Sequence, residues 1–291
     1  MFDIKSYEKA DTVKQAIELL SANPDAKLIA GGTDVLIRLR EGHEEFSSLI
    51  DIHHLEEIKG VEMQDNMDVR IGAGMCFTDV IESEIIDQTI PIVAEASGTV
   101  GGPQVRNVAT IGGNLCNGAI SADSVASLCV LDATLEIEGI DGAREVPVTE
   151  FYLGPGKIVL THTEILKSIY IKAENYMGFG THYYKYAMRN AMDIATIGCA
   201  AAIKVDEGKV ETLKLAFTVA APKPTRATTA EQFSVGLDAT SENIEKIAKK
   251  ALEDLNPRDS WRASKDFRLH IIETLAKRVI TAAIIDAGVQ L

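Results

Sequence analysis

The spacing of apolar residues near the start of the chain predicts a short amphipathic helix. Residues 12–15 read TVKQ, which fits a capping box at a helix start. The Asn-Pro dipeptide at 23–24 is a helix stop. The apolar positions between them share one helical face and are Val13, Ala16, Ile17 and Leu20.

Short apolar or alternating runs predict strands in the next part of the chain. They cover residues 27–30, 48–52, 69–74 and 164–171. Helical patterns predominate between residues 78 and 99, and residues 126–138 read as a helix followed by a strand. GPGK at 154–157 is typical of a turn.

Beyond residue 180 the pattern predicts an antiparallel meander and then two helices. YYKYAM, IATIGCAAAIKV and VETLKLAFTVAA read as strands, the last two flanking a turn at Asp206-Glu207-Gly208. One helix has Ile244, Ile247, Ala248 and Ala251 on its apolar face, and the other has Phe267, Ile271, Leu275 and Val279.

A polar, glycine-bearing stretch over residues 172–180 predicts a domain boundary. The sequence therefore predicts an α+β protein with a first domain at 1–175, itself divided into subdomains of about 1–55 and 56–175. A second domain, at 176–291, is predicted to be a smaller sheet covered by helices.

Composition removes several classes of function. Of the 291 residues, 46% are hydrophobic and 25% are charged, which is typical of a folded globular protein. The formal net charge of -14 repels a phosphate backbone, which argues against nucleic acid as a partner. No uninterrupted apolar run of about 18 residues and no signal-peptide pattern occurs, so we expect a cytoplasmic protein that does not enter the membrane.

The sequence shows no pattern of metal ligands. Its cysteines are far apart without C-x-x-C spacing, and its histidines are scattered or adjacent instead of lying at i and i+4. We therefore predict no metal site and expect buried thiols at Cys76, Cys116, Cys129 and Cys199.

Two glycine-pair stretches are the candidates for chemistry. IAGGTDVL at 29–36 follows a predicted strand. ATIGGNLCNGAISADS at 109–124 ends a stretch of small and polar residues over 98–124, which reads as one long ordered loop. A glycine pair serves equally well in a tight turn and in a loop whose N–H groups bind an anion. GAGMCF at 72–77 and GPGKI at 154–158 match neither the Rossmann nor the P-loop fingerprint.

If the two stretches lie side by side, they form a dinucleotide site without a positive charge. Backbone N–H groups, together with Thr33, Thr110 and Asn114, would then hold a pyrophosphate. Asp123 would accept hydrogen bonds from ribose or ribityl hydroxyls. Alternatively, Asp123 is the N-cap of the helix that follows.

Together with KYAMRNAMDIATIGCAAAI at 185–203 and SWRASKDFRLHIIETL at 260–275, these stretches resemble the FAD-binding subunits of the molybdenum hydroxylases, most closely the bacterial xanthine dehydrogenase type. The resemblance implies an FAD-binding fold of the vanillyl-alcohol-oxidase and CO-dehydrogenase flavoprotein type with a smaller C-terminal domain. It implies FAD as the one cofactor. It also implies a complex with a molybdopterin-binding catalytic subunit and a [2Fe-2S] subunit, with NAD as the electron acceptor.

The resemblance also implies which residues contact FAD. Lys185 matches a lysine that faces the flavin, where a fixed cation would favour reduction; the alternative is a solvated strand lysine. Val100 stands where relatives often have a phenylalanine beside the ring. The full set of matching positions is Ala30, Gly31, Gly32, Thr33, Asp34, Val35, Val100, Gly101, Ala109, Thr110, Gly113, Asn114, Cys116, Ala122, Asp123, Ile165, Leu166 and Lys185.

The resulting hypothesis is an FAD-binding electron-transfer subunit of a xanthine-dehydrogenase-like enzyme of purine metabolism, with no catalytic acid, base or nucleophile of its own. One alternative is a stand-alone FAD-dependent oxidase, for which the sequence offers no obvious base. Another is a non-catalytic flavin-binding protein. A basic run around Trp261, formed by Arg258, Arg262, Lys265 and Arg268, is either a docking face or a solvated helix start.

Overall fold

The computed structural model describes residues 3–290 and contains three principal sheets surrounded by short helices. The strands are β1 Ser6–Lys9, β2 Lys27–Ile29, β3 Ser48–Asp51, β4 Val61–Met63, β5 Val69–Gly72, β6 Thr134–Gly139, β7 Gly142–Pro147, β8 Tyr152–Gly154, β9 Lys157–Ile158, β10 Glu164–Ile171, β11 Gly180–Tyr186, β12 Ile197–Asp206, β13 Lys209–Thr218 and β14 Thr225–Arg226. The helices are α1 Val13–Ala22, α2 Val35–Arg40, α3 Phe77–Ile81, α4 Glu84–Thr89, α5 Pro91–Gly98, α6 Pro103–Arg106, α7 Ile111–Cys116, α8 Asp123–Val130, α9 Val148–Phe151, α10 Thr228–Ser234, α11 Ser241–Lys250 and α12 Lys265–Asp286.

The first sheet is parallel, with strand order β1-β3-β2. Helix α1 covers it and buries the four apolar residues predicted to share a face. The Thr12 side chain accepts a hydrogen bond from the Gln15 N–H, so the predicted helix start is confirmed. Because parallel strands end at the same edge, the first glycine stretch, which follows β2, lies at the carboxyl edge of the sheet, where ligands commonly bind.

The second sheet is antiparallel, with strand order β4-β5-β10-β6-β7. The strands predicted over 69–74 and 164–171 form its centre, as β5 and β10. The predicted helical region is confirmed and divides into α3, α4 and α5. These helices pack with α8 and the sheet around one buried apolar cluster.

The prediction of one long loop over residues 98–124 is wrong. Two short helices, α6 and α7, interrupt it, and α8 begins at its end. A proline starts α6 and the Thr110 hydroxyl caps α7, and both are ordinary helix-start devices. The high content of glycine, which is a poor helix former, concealed these helices in the sequence.

The third sheet has strand order β11-β12-β13-β14 and is antiparallel, as the sequence predicts. The turn between β12 and β13 contains two residues, Glu207 and Gly208, which both have positive φ, as a type I′ turn requires. Both faces of β12 are buried, one against α12 and the other against α8, so its sequence is a continuous apolar run.

The closing helices are α11 and α12, preceded by α10, which the pattern did not indicate. The predicted apolar faces are buried with one exception. Phe267, in the first turn of α12, is 42% exposed and lies beside the ring of Tyr186.

Candidate functional site

The first glycine stretch forms a loop with a run of free backbone donors. It joins β2 to α2, and Gly32 has φ of +69°, a conformation that favours glycine. Within residues 3–290, the five N–H groups of residues 31–35 donate to no protein acceptor. Because unpaired backbone donors can bind anions, this loop is a candidate site for a negatively charged ligand.

The first and second glycine stretches are in direct contact. A Cβ added at Gly31 would lie 1.8 Å from the carbonyl oxygen of Val108, so only glycine permits this approach. Farther along the two helices, Arg38 of α2 donates to Asn117, just beyond α7, at 3.1 Å. The side-by-side arrangement that the sequence hypothesis required is present.

The backbone N–H groups of the second stretch are not free for a ligand, contrary to expectation. The first three N–H groups of α7 all donate within the protein: to the carbonyl oxygens of Met75 and Ala73 and to the hydroxyl of Thr110. The Gly113 N–H, expected to approach a pyrophosphate, is the one bound to Thr110, at 3.0 Å. Free backbone donors therefore come from the first stretch, whereas the second contributes an exposed Gly113 without a side chain.

Asn114 and Cys116 occupy the remaining part of α7. Asn114 Oδ1 accepts a hydrogen bond from the Ser124 hydroxyl at 2.8 Å, which ties α7 to the start of α8. Burial raises the pKa of the Cys116 thiol to about 12, so the thiol is neutral at physiological pH. The thiol is therefore not an activated nucleophile.

Asp123 and Lys185 form a buried ion pair. Lys185 Nζ donates to Asp123 Oδ2 at 2.7 Å and to the Thr99 carbonyl oxygen at 2.9 Å, and the two side chains of the pair are 9% and 8% exposed. The Tyr183 hydroxyl donates to Asp123 Oδ1 at 3.1 Å. Lys185 is therefore not a solvated strand lysine, and Asp123 is not an N-cap, since α8 begins at Asp123 with Ala122 in the cap position.

Val100 and Gly101 directly follow Thr99, whose carbonyl oxygen accepts from Lys185, and they are covered by another segment of the chain. Gly101 has φ of +50°, and its carbonyl oxygen accepts a hydrogen bond from Met192 N–H at 3.2 Å. A Cβ at Gly102 would meet the Met192 sulfur at 2.6 Å. The segment between β11 and β12 therefore rests on the backbone at 101–102, and Val100 is buried.

Ile165 and Leu166, predicted to line the flavin ring, lie on β10 with almost fully buried side chains, 1% and 4% exposed. Ile165 belongs to the apolar cluster under α1, and Leu166 belongs to the central cluster. Neither side chain presents surface to a cleft in this structure. The other predicted positions, Ala30, Thr33, Asp34, Val35 and Ala109, lie in or directly beside the two contacting stretches.

The basic run around Trp261 divides into buried and exposed parts. Arg268 is 2% exposed and donates to the carbonyl oxygen of Thr196 and, at 2.9 Å, to the Ser260 hydroxyl, so the interpretation as a solvated helix start is wrong for this residue. Trp261 is exposed, with the Arg262 guanidinium stacked on its ring.

The described residues contain no group of three or more His, Cys, Asp or Glu side chains able to hold a metal ion. Over the same range, no helix has the length and apolar character needed to cross a membrane.

Sequence reasoning missed Tyr183, Val108 and Thr99. Tyr183 had a detectable signal, because residues two apart on a strand share a face and Lys185 was already a candidate. Val108 and Thr99 act through their backbone oxygens, which no residue type reveals.

Comparisons with known proteins identify the family. Residues 2–172 match the FAD binding domain in molybdopterin dehydrogenase, and residues 182–283 match the CO dehydrogenase flavoprotein C-terminal domain. The chain is 46% identical to the xanthine dehydrogenase FAD-binding subunit of Escherichia coli O157:H7, over the whole of both proteins.

Solved structures show the same architecture. A chain of carbon monoxide dehydrogenase from Hydrogenophaga pseudoflava superposes with a TM-score of 0.93 at 31% identity, covering 98% of this chain and 99% of that one. A chain of quinoline 2-oxidoreductase from Pseudomonas putida 86 has the same TM-score at 26% identity, covering 99% of this chain and 100% of that one. The α+β fold of the CO-dehydrogenase flavoprotein type is confirmed, as is FAD as the cofactor. This chain belongs to the molybdenum hydroxylase family, in which it is an FAD-binding oxidoreductase subunit of the xanthine and carbon monoxide dehydrogenase kind.

Proposed function

We propose that this chain holds FAD along the contact between its two glycine stretches and transfers electrons from a [2Fe-2S] subunit to NAD. The observation that carries the proposal is the loop at 31–35, whose five N–H groups are free and which lies against Val108. Five consecutive backbone donors without an acceptor in the described part of the chain suit the pyrophosphate of a dinucleotide.

The residues present fit FAD. The free donors of the first stretch bind the pyrophosphate, with the Thr33 hydroxyl as a further donor. Exposed Gly113 allows the ligand to approach α7 closely, because no side chain intervenes. The proposed FAD contacts are Ala30, Gly31, Gly32, Thr33, Asp34, Val35, Val100, Gly101, Ala109, Thr110, Gly113, Asn114, Cys116, Ala122, Asp123 and Lys185. Ile165 and Leu166 are not among them, because their side chains are buried in the apolar clusters.

Bound FAD supplies the exchange between single-electron and two-electron transfer, which a cluster and a nicotinamide require. The protein's part is to bind, orient and tune the cofactor. The buried pair Asp123–Lys185 supplies polar groups in a region of low dielectric, where they act more strongly than in water.

The partners follow from the family and from what this chain lacks. Its four cysteines are free thiols that cannot hold a cluster together, so the cluster belongs to another chain. Unpaired thiols also suit the reducing conditions of the cytoplasm. The full-length similarity to a xanthine dehydrogenase subunit supports a purine-like substrate, which a molybdopterin-binding subunit of the same complex oxidises.

The proposal is tested by expressing the chain alone and together with its neighbouring reading frames. The assembled complex is expected to contain both partner subunits and to reduce NAD with a purine such as xanthine, whereas the lone chain should hold FAD without hydroxylase activity. A lone chain that oxidised an organic substrate with oxygen would instead establish the oxidase alternative.

A further inference from the structure

The charge near the proposed flavin site is a pair instead of a single cation. We infer that Asp123 is the counter-ion that neutralises Lys185 beside the flavin, and that Tyr183 is a positioning residue that holds the Asp123 carboxylate against the lysine. The flavin potential then depends on the pair, and Asp123 lowers it. This inference rests on the proposed function, because it assigns the pair to the FAD site.

Strand geometry explains why the three side chains meet. Tyr183 and Lys185 are two residues apart on β11 and therefore share one face of the sheet. That face is covered by α8, whose first residue is Asp123, and by α5, whose C-cap is Thr99. Each Asp123 oxygen thus receives one donor, from Tyr183 and from Lys185 respectively.

The ionised state of Asp123 depends on both of its hydrogen-bond donors, Lys185 and Tyr183. Burial raises the pKa of the Asp123 carboxyl, while the charge of Lys185 and the hydrogen bonds from Lys185 and Tyr183 oppose that rise. Burial also raises the pKa of the Tyr183 hydroxyl well above its ordinary value, so the hydroxyl remains protonated and acts as a donor. Removing either donor therefore favours a neutral Asp123.

Neighbouring charged groups do not replace this pair. Glu95, from α5, accepts from the Tyr183 N–H at 2.9 Å and pairs with His182, whose side chain is on the opposite face of β11. Cys199, on β12, is paired with Tyr184 and so lies on the other face of the sheet from Tyr183, and burial raises its thiol pKa well above the ordinary value, so it carries no charge. On α8, the hydroxyl of Ser124 is committed to Asn114.

Lys185 has one donor left for a ligand. An ammonium group has three N–H bonds, of which Asp123 and the Thr99 carbonyl oxygen take two. The third is available for an acceptor on the cofactor. Through this third N–H the lysine orients the flavin. The adjacent Asp123 carboxylate cancels most of the long-range electrostatic effect that the Lys185 charge would have on reduction of the flavin.

The test is the two-electron midpoint potential of FAD bound to the full-length chain, measured for Asp123→Asn, Tyr183→Phe, Lys185→Met and Asp123→Asn/Lys185→Met. Asp123→Asn should raise the ratio of reduced to oxidised flavin at fixed ambient potential about tenfold, which is about 30 mV. Tyr183→Phe should raise it less. Lys185→Met should change it little, because the unpaired Asp123 takes up a proton, and the double variant should match the wild type.

Tyr184→Phe is the matched control, since Tyr184 is the next residue on β11 and points to the opposite face. A free-cation arrangement predicts instead that Lys185→Met lowers the potential as much as Asp123→Asn raises it, and that outcome overturns the inference. So does an unchanged potential in both Asp123→Asn and Tyr183→Phe. If Asp123→Asn fails to retain FAD, the midpoint potential of Tyr183→Phe alone tests the inference. A wild-type chain that binds no FAD refutes the proposed function instead.

Discussion

Gly31 and Val108 are far apart in sequence, yet their backbones touch. A Cβ on Gly31 would lie 1.8 Å from the Val108 carbonyl oxygen and 2.5 Å from the carbonyl carbon. Because the obstacle is backbone, no side-chain rotation relieves it. This contact fixes the distance between the two glycine stretches and hence the width of the proposed FAD site.

Gly31→Ala should therefore separate the two stretches. We expect a loss of unfolding free energy of roughly 1–3 kcal/mol, as for overpacked cores, and a markedly lower flavin-to-protein ratio after purification. The matched control is Gly154→Ala, where an added Cβ meets nothing within 4 Å. Equal flavin content in both variants would show that the contact does not shape the site.

Gly113→Ala should separate ligand binding from stability. The added Cβ would meet only Thr110 Oγ1, at 2.9 Å, and alanine favours a helix over glycine by about 1 kcal/mol. The flavin-free protein should therefore unfold close to the wild-type temperature, because the gain in helix propensity offsets the displacement of the Thr110 hydroxyl, while FAD binds more weakly because a methyl group enters its path. Unchanged FAD affinity in a titration would remove Gly113 from the site.

Thr110 should matter through its hydroxyl. It caps α7 by accepting the Gly113 N–H, and removing such a cap costs about 1 kcal/mol. Thr110→Val should lose this stability and weaken FAD binding, whereas Thr110→Ser should retain both. Thermal unfolding and FAD titration of the two variants test this prediction. If Thr110→Ser were as impaired as Thr110→Val, the methyl group of Thr110, and not its hydroxyl, would support stability and FAD binding.

Stability at acid pH should depend on Glu164. Hydrogen bonds from Arg144, at 2.6 and 2.9 Å, lower the Glu164 pKa from 4.5 to about 2. Because the folded pKa is below the unfolded one, the stabilisation is fully present above about pH 4.5 and is lost as the pH falls towards 2. Its upper limit is about 3 kcal/mol, less screening by solvent around the partly exposed Arg144.

The measurement is urea unfolding of wild type and Glu164→Gln across that pH range. The variant should be less stable at neutral pH, and the difference should shrink steadily in acid. A difference that stays constant with pH would show that the carboxylate charge contributes nothing.

The sequence predicted the fold where local signals agree. Strands β5, β10 and β12, the Thr12 cap and the Glu207–Gly208 turn each follow from short patterns of apolar residues or turn residues. Helices α6 and α7 were missed because glycine-rich sequence hides a capped helix. The division into domains at residue 175 stays a prediction, which limited proteolysis would test.

The candidate site was predicted in part. Motif spacing placed both glycine stretches in the site, but it could not show that α7 consumes its own N–H groups while the first stretch leaves five free. Nor could it show that Asp123 pairs with Lys185, because an ion pair between distant residues is set by how β11 packs on α8. Long-range packing determines these features, and it has no local signature.

The central claim, electron exchange between FAD on this chain and NAD, is tested most directly with the isolated full-length chain loaded with FAD. Under anaerobic conditions, NADH is added and the visible flavin absorbance is followed, with Gly31→Ala as the flavin-depleted control. Because the reaction is reversible in principle, NADH should bleach the bound flavin of the wild type in proportion to the amount added. A chain that holds its full complement of FAD and keeps its spectrum unchanged in excess NADH would contradict the account.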